Sequence, residues 1–300
     1  MVESRHPADG RPIEIEFRPR SSPPGLPVEV LRRSELLARR TSGARRQRVG
    51  FHQLILCTSG GGTHRVDFEP HPIEPGTILR TYPGQVQGYV TDPDFEAEVV
   101  LWPASTHPAT PGGSLWYPGG SVPTRWQVAP EIMERVLRLI AELRFEQERF
   151  DGSSASSRLL QVLLHALLIR VVVEIPDAEP NIDHLPRPYL SFRQLLEERL
   201  TSHPSVVSLA AELGYSTRTL DRACQAAAGR TAKQLLDERI SLEVRRLLTH
   251  TTRPISQIGA ELGFDDPSNF SKFVRRQLGS SPRDVRQRPD DRATQVTPTR

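Results

Sequence analysis

A helix-turn-helix pattern occurs twice near the C-terminus of this chain, and the repeat restricts the possible folds more than any other feature. The copies span residues 209–229 and 258–279. Each consists of a short apolar-periodic helix, a Gly followed by an aromatic residue, a Ser or Asp that can start a helix, and a second helix that ends at Gly. Gly214 and Gly263 suit the turn, because Gly enters the left-handed region without steric cost. A tight turn between crossed helices places the second helix in a DNA major groove, so the repeat predicts two DNA-reading helices.

The charge distribution supports a nucleic-acid partner for this region. Residues 187–288 contain 17 Lys+Arg and 11 Asp+Glu, a net charge of +6, whereas residues 1–186 contain 20 and 23, a net charge of −3. A surplus of positive charge beside the repeat is expected where a polyanion binds. With 300 residues, 37% hydrophobic and 25% charged, the chain has the composition of a soluble protein of two domains.

The sequence favours a cytoplasmic protein without a membrane span. It has no uninterrupted run of about 18 apolar residues, and the most apolar segment, residues 159–175, contains His165 and Arg170. The N-terminus lacks the apolar core of a signal peptide. Cys57 and Cys224 fall in different predicted domains, so we expect two small buried apolar side chains and no disulfide.

Composition divides the chain into five segments. We predict a poorly ordered N-terminal segment (1–30), a domain of short strands and two helices (31–175), a Pro-rich linker (176–188), an all-helical domain (189–288) and a disordered polar tail (289–300). The fold class is therefore α+β followed by all-α.

Short β-type segments separated by Gly and Pro clusters predict an antiparallel barrel or sandwich in the first domain. The predicted strands are Phe51–Thr58, His64–Phe68, Thr77–Thr81, Gln87–Val90 and Ala97–Leu101. Residues 103–128, with Trp116, Tyr117 and Trp126, have no assignment from the pattern.

Two helices, Pro130–Phe150 and Ser156–Val173, are predicted to follow the strands. The second is apolar nearly all round, so it needs cover on two sides. Dimerisation through this helix and packing against the first helix are equally weighted alternatives. Substitution of Leu164 or Leu168 by Glu would separate them, because an interface position yields soluble monomers and a core position yields unfolded protein.

The first predicted recognition helix is Thr217–Ala228. Its apolar periodicity turns four polar side chains towards the groove, namely Arg218, Asp221, Arg222 and Gln225. Arg can hold a guanine edge with two hydrogen bonds, and Asp can accept one from cytosine. Solvated charges on a surface helix are the alternative, which the repeat and the positive charge disfavour.

The second predicted recognition helix is Pro267–Leu278. Its N-terminal end presents Ser268, Asn269 and Lys272 for base contacts, since Asn pairs with adenine and Lys reaches guanine or phosphate. Arg275 and Arg276 are expected on phosphates, which hold the protein in register. Between the copies, residues 231–249 form a predicted spacer helix about 28 Å long, a length that suits successive major grooves about 34 Å apart.

Residues 189–288 resemble the double helix-turn-helix domain of AraC/XylS-type transcription regulators. The matching residues are Leu209, Ala210, Glu212, Gly214, Tyr215, Ser216, Leu220, Arg222, Gly229, Ile258, Ala260, Gly263, Phe264, Phe270, Ser271, Lys272, Val274, Arg275, Arg276, Gly279, Ser281 and Pro282. The resemblance implies a sequence-specific DNA-binding regulator, more often an activator, which responds to a small-molecule effector and acts on RNA polymerase. Cys224 and Val274 stand where the family usually has Phe, which implies looser packing of both recognition helices.

The first domain resembles the cupin-like effector domain of the same family. The resemblance rests on Asp67-Phe68 and on residues 75–79 and 83–87. The His-x-His pair, Glu and later His of metal-binding cupins are missing, so we expect no metal, no cofactor and no enzymatic activity. The proposed effector contacts are His52, Gln85, Gln87 and Trp102, near the mouth of the expected barrel. A cupin-type enzyme fused to a DNA domain, and a barrel that serves oligomerisation alone, are the alternatives.

Overall fold

The computed structural model divides the chain into two compact units, Met1–Asp183 and His184–Arg300. It describes residues 13–19, 23–39, 47–104, 106, 123–174, 185–200 and 204–287. The predicted tail, most of the predicted linker, Trp116 and Tyr117 lie outside the described residues. The last two residues of the predicted linker already belong to a helix.

The first unit contains two five-stranded sheets among its described residues. The strands are β1 (Ile13–Ile15), β2 (Glu29–Arg32), β3 (Gln47–Val49), β4 (Phe51–Ser59), β5 (Gly62–Val66), β6 (Glu69–Ile73), β7 (Thr77–Thr81), β8 (Val86–Thr91), β9 (Glu96–Pro103) and β10 (Arg125–Gln127). The first sheet has the order β1-β3-β8-β5-β6 and the second has the order β10-β7-β4-β9-β2. All pairs are antiparallel except β1 with β3. The predicted antiparallel β-fold is confirmed, but the sheets form a sandwich and do not close into a barrel.

Five strands were not predicted, for reasons visible in the sequence: β1, β2, β3, β6 and β10. β6 contains Pro70 and Pro72, which argue against a strand, but β6 is at the edge of its sheet, where a missing N–H is tolerated. The other four, β1, β2, β3 and β10, are only three or four residues long and give no usable periodicity. β1 and the start of β2, whose Val30 is buried, lie within the segment 1–30 for which we expected poor order.

In the described part of the first unit, three helices accompany the sheets: α1 (Arg33–Arg39), α2 (Pro130–Glu148) and α3 (Ser154–Val173). α2 lies against β2, where the Gln147 side chain accepts from Val30 N–H (2.6 Å) and donates to Val30 C=O (3.2 Å). α3 packs against α2 and buries one side, including Leu164 and Leu168. Since these two leucines belong to the core of the single chain, they are not the surface positions at which a dimer interface would be tested.

Among the described residues, α3 is the one helix long and apolar enough to cross a membrane. A third of its most apolar window is buried inside the protein, and its His165 and Arg170 interrupt the apolar sequence. A core helix of a soluble protein meets the same criteria.

The second unit is helical throughout its described residues, as predicted. Its helices are α4 (Arg187–Arg199), α5 (Val206–Glu212), α6 (Thr217–Ala228), α7 (Ala232–His250), α8 (Ile255–Glu261), α9 (Pro267–Leu278) and α10 (Pro282–Gln287). α7 contacts α5, α6, α8, α9 and α10. One apolar core therefore includes residues of both helix-turn-helix copies and of α7 between them.

Candidate DNA-binding surface and effector site

The two helix-turn-helix turns have the same backbone geometry. Gly214 and Gly263 have φ of 70° and 95°, in the region that favours Gly. In the first copy, Tyr215 N–H donates to Ala210 C=O (2.9 Å), and the second copy has the equivalent bond. This Schellman arrangement satisfies the last carbonyls of α5 and α8 and fixes the start of the following helix.

The first recognition helix, α6, separates an apolar face from a polar one. Ser216 caps its N-terminus by accepting from Thr219 N–H (3.1 Å), and Gly229 ends it in the left-handed conformation. Leu220, Ala223 and Cys224 are buried, whereas Arg218, Arg222 and Gln225 are exposed. These three lie at four- and three-residue steps on one side of the helix, where a groove could receive them.

Asp221 differs from its neighbours on α6. Its Oδ1 accepts from Ala232 N–H of α7 at 3.0 Å, and the residue is half-buried. This contact favours a structural role for Asp221 over the base contact expected from the sequence.

The second recognition helix, α9, has the same division of faces. Asp266 caps it by accepting from Ser268 N–H (2.6 Å), and this bond lowers the pKa of the Asp266 carboxyl. Phe270, Phe273 and Val274 are buried. The exposed side chains are Ser268, Asn269, Lys272, Arg275 and Arg276.

The two arginines at the end of α9 have different surroundings. Arg276 lies over the Phe273 ring (5.5 Å to the centroid) and 3.7 Å from the Asp237 carboxylate of α7. Arg275 is exposed. Both occupy the last turn, where positive charge stabilises the helix dipole, and Arg275 is the better placed of the two to reach a phosphate.

A glycine allows the two helices of the second copy to approach closely. A Cβ on Gly259 of α8 would lie 3.1 Å from Phe270 Cγ and 3.3 Å from Phe270 Cβ. At the equivalent positions the first copy has Ala210 and Leu220, both buried. The second copy therefore pairs the smaller Gly259 with the larger Phe270, whereas the first copy pairs the larger Ala210 with the smaller Leu220.

The four predicted effector residues do not form one site. Side chains alternate between the faces of a strand, and Gln53, Ile55 and Cys57 of β4 point between the sheets, where Ile55 and Cys57 belong to the sandwich core. His52 therefore points to the opposite face. It stacks on Trp102 of β9, with ring centroids 5.2 Å apart and planes 8° apart.

The side-chain amide of Gln85 already has hydrogen-bond partners in the turns beside the first sheet. Its side chain donates to Asp67 Oδ2 (2.8 Å) and accepts from Tyr82 N–H (2.7 Å). Asp67 has φ of 54° and also accepts from Val86 N–H (3.1 Å). The motifs that carried the resemblance in this domain thus hold two neighbouring turns together.

Gln87 belongs to a buried polar cluster between the sheets, which we call the inter-sheet cluster: Gln53, His64, Gln87 and Tyr89. Gln53 and Gln87 exchange hydrogen bonds of 3.3 and 3.2 Å across the sandwich. The Tyr89 hydroxyl donates to Gln87 (3.2 Å) and accepts from Gln53 (2.9 Å), and His64 Nε2 lies 3.1 Å from Gln87 Oε1. Sequence reasoning missed Gln53, His64 and Tyr89, although polar residues at inward strand positions could have identified them.

A second polar group lies on the other face of the second sheet, with His52 and Trp102. The Arg80 guanidinium lies 4.4 Å from the Tyr82 ring centroid, and its Nε donates to Pro123 C=O (2.8 Å). Burial lowers the pKa of Arg80 to about 10, while Tyr82 opposes that shift. No group of three or more His, Cys, Asp or Glu that could hold a metal ion occurs in the described part of the chain.

Solved structures similar to this chain include ToxT from Vibrio cholerae (12% identity, covering 86% of this chain and 96% of that one, TM-score 0.37). Another is the DNA-binding domain of AdpA in complex with a target DNA (30% identity, covering 37% of this chain and 99% of that one, TM-score 0.33).

The comparisons with sequences agree with the two-domain architecture. The HTH-type transcriptional activator RhaS of Escherichia coli is 25% identical over 245 residues, covering 80% of this chain and 86% of the relative. A family model for a helix-turn-helix domain matches residues 209–288, and one for the AraC-like ligand-binding domain matches residues 35–163. The chain therefore belongs to the AraC family of transcription regulators, with a ligand-binding domain followed by a helix-turn-helix DNA-binding domain.

Proposed function

We propose that this AraC-family protein is an effector-responsive activator that reads two half-sites about one helical turn apart, one with α6 and one with α9. The observation that supports this most is the shared construction of the two recognition helices. Both have a polar N-cap, a left-handed Gly at the end, a buried apolar face and an exposed polar face.

Spacer helix α7 is long enough to separate the half-sites. Its 19 residues extend about 28 Å. It is buried along much of its length, including Arg239 and Arg246, which both pair with the buried Glu243. A helix fixed in this way supports two recognition helices in neighbouring grooves.

Selection of binding sites from a random duplex library with the full chain tests the DNA-binding proposal. Arg218→Ala should cost about 1–3 kcal/mol and relax preference at one base position. Arg275→Ala should weaken binding to all sequences alike and reduce the slope of the salt dependence by about 1. Arg138→Ala is the matched control, because it removes an exposed Arg from α2. Selection of no DNA, or unchanged selectivity in Arg218→Ala, would contradict the proposal.

The inter-sheet cluster is the best candidate for the effector contacts. Gln53, His64 and Gln87 are buried and Tyr89 is partly buried. The cluster bridges both sheets and consists of two amides, a phenol and an imidazole. Groups of this kind suit a neutral polar organic molecule. Of the contacts expected from the sequence, Gln87 belongs to this candidate site, while His52 and Trp102 lie on the other face of the second sheet and Gln85 is used in a turn.

A thermal-shift screen of small polar molecules tests this site. An effector at 100 times its Kd should stabilise the first unit by about 2.7 kcal/mol, and Gln87→Leu should abolish that shift. Trp102→Phe serves as the matched control, since it changes the other face of the second sheet. If Trp102→Phe abolishes the shift and Gln87→Leu does not, the effector lies elsewhere.

We also propose a homodimer formed through the exposed face of α3. Leu159, Val162, Ile169 and Val173 are 43–56% exposed, and Ala166 is exposed between them. They lie along one side of the helix at three- and four-residue steps, opposite the side that packs on α2. A contiguous apolar stripe of this kind marks an interaction site.

The charges at the ends of the stripe favour an antiparallel pair centred on Ala166. In that pairing Leu159 faces Val173 of the second copy, and Arg158 faces its Glu174. A parallel pairing would instead place Arg158 beside Arg158 and Arg170 beside Arg170, and like charges repel.

Sedimentation of surface variants tests the dimer. Val162→Glu should give a folded monomer, whereas Leu164→Glu should unfold the first unit because Leu164 is fully buried. Arg158→Glu should weaken the dimer, and adding Glu174→Arg should restore it. Restoration would not occur in a parallel pair, and a Val162→Glu dimer as tight as the wild type would refute the interface.

The remaining functional proposals follow from family membership. An activator acts on RNA polymerase and needs access to the chromosome, so we propose that the protein is cytoplasmic. We also propose that it has no catalytic activity. The alternative of a cupin-type enzyme requires reactive groups in the sandwich, and turnover of the identified effector by purified protein would favour it.

A further inference from the structure

The carboxylate of Asp221 belongs to recognition helix α6 but bonds to spacer helix α7. Its Oδ1 accepts a hydrogen bond from the backbone N–H of Ala232, with an N···O distance of 3.0 Å. Ala232 is the first residue of α7 and is fully buried. The bond is therefore a tertiary contact between two helices.

This bond adds to the capping of α7. The first N–H groups of a helix have no partner within it. Thr231 Oγ1 accepts from Gln234 N–H (3.2 Å), and the Gln234 side chain accepts from Thr231 N–H (2.8 Å). That capping box does not use the N–H of Ala232, and Asp221 accepts a hydrogen bond from it. A carboxylate also suits the positive end of the helix dipole.

The second copy of the repeat has the same junction between α9 and α10. Gly279 ends α9 in the left-handed conformation, as Gly229 ends α6. Ser281 and Asp284 form the capping bonds of α10, with Ser281 Oγ accepting from Asp284 N–H (3.2 Å) and Asp284 accepting from Ser281 N–H (3.1 Å). The two junctions are offset by 50 residues, which identifies their equivalent positions.

At those equivalent positions, one copy has both the acidic side chain and the backbone N–H donor, and the other copy has neither. The first copy has Asp221 and Ala232, whereas the second has Ser271 and Pro282. Proline has no N–H, so the start of α10 presents no donor at this position. Asp221 is thus present in the copy whose spacer-helix N–H needs an acceptor.

We propose that Asp221 is a positioning residue, which fixes the first recognition helix to the spacer helix and reads no base. The proposal rests on the proposed function, in which α6 and α9 read two half-sites. If the Asp221 bond sets the angle between α6 and α7, it restricts the spacing of half-sites that the protein accepts. Loss of the bond then widens the range of half-site spacings that the protein accepts and leaves its base preference unchanged.

A double-variant comparison in the full chain tests this. Asp221→Ser, which installs the residue of the second copy, is made in the natural background and in Ala232→Pro. Proline fits the first position of a helix, and Thr231, with ψ of 159°, has the extended backbone that precedes proline. Each variant is subjected to thermal unfolding and to selection from duplex DNA with variable half-site spacing.

Asp221→Ser should lower the melting midpoint of the second unit by about 4 °C and broaden the selected spacings. In the Ala232→Pro background the same substitution should change neither quantity. Asp221→Asn keeps an acceptor oxygen and should retain the wild-type spacing, whereas Arg218→Ala should change base preference alone.

A changed base preference at one position in both backgrounds would overturn the proposal, as would equal melting shifts in both. If Ala232→Pro does not fold, equal losses in Asp221→Ser and Asp221→Asn would overturn it. If the wild type selects no DNA, the proposed function fails, and the melting comparison still decides whether Asp221 holds α6 to α7.

Discussion

The contact between Gly259 and Phe270 predicts that a single methyl group destabilises the second helix-turn-helix copy. In Gly259→Ala the added Cβ would lie 3.1 Å from Phe270 Cγ and 3.3 Å from Phe270 Cβ. Phe270 Cβ is attached directly to the backbone of α9, so this atom cannot move away from the added methyl group without shifting that helix. Overpacking of this kind costs about 1–3 kcal/mol, whereas replacing Gly by Ala inside a helix gains about 1 kcal/mol.

The two effects leave a net loss of about 1 kcal/mol, which corresponds to about 4 °C in the melting midpoint of a domain of this size. In Phe270→Leu, Gly259→Ala should cost less or become stabilising, because Ala and Leu are the buried pair of the first copy, Ala210 and Leu220. The cycle therefore measures the coupling between positions 259 and 270.

The assay follows helix content by circular dichroism and compares it with tryptophan fluorescence. The tryptophans, at positions 102, 116 and 126, all belong to the first unit, so their transition should not move. Stabilisation by Gly259→Ala in the natural background, or the same free-energy change in both backgrounds, would refute the packing argument.

Three further predictions concern titration and chemistry. Hydrogen bonds from Ser156 and Ser153 lower the pKa of Asp151 from 3.8 to about 2. The ionised carboxylate should therefore stabilise the start of α3 above pH about 4 and lose that effect as the pH falls towards about 2. The difference in melting midpoint between wild type and Asp151→Asn should disappear over that range. Burial raises the pKa of the Cys57 thiol to about 11 and that of Cys224 to about 12, so a thiol reagent at pH 8 should label neither until the protein unfolds, and rapid labelling of native protein would contradict their burial. Protein purified without added metal should contain no stoichiometric zinc, iron or manganese by elemental analysis, and a stoichiometric metal would contradict the expected absence of a metal site.

The helical unit could be predicted closely because its signals are local. Thr217–Ala228 and Pro267–Leu278 are the observed bounds of α6 and α9, since capping residues and left-handed glycines mark helix ends within a few residues of sequence. Leu220, Phe270 and Val274 are buried as their periodicity indicates. Cys224 and Val274 fill fully buried positions where the family usually has Phe.

The sandwich was less predictable because its contacts join distant strands. Gln53 and Gln87 meet across two sheets, and neither local pattern shows that they face each other. His52 and Trp102 are adjacent in the register of β4 and β9, but the sequence did not show which face of the sheet they share. Similarly, the periodicity of α6 placed Asp221 with the groove-facing residues, and the tertiary bond to Ala232 could be recognised from the structure alone.

The burial of α7 in a core shared by both copies also limits how this regulator can evolve specificity for new operators. A chain cut after the first copy and α7 would leave α7, which is buried along much of its length, without the contacts that α8, α9 and α10 make with it. The two helix-turn-helix copies are therefore parts of one cooperative structure and not interchangeable modules. New DNA specificity is more accessible through substitutions on the exposed faces of α6 and α9 than through duplication or exchange of a whole copy.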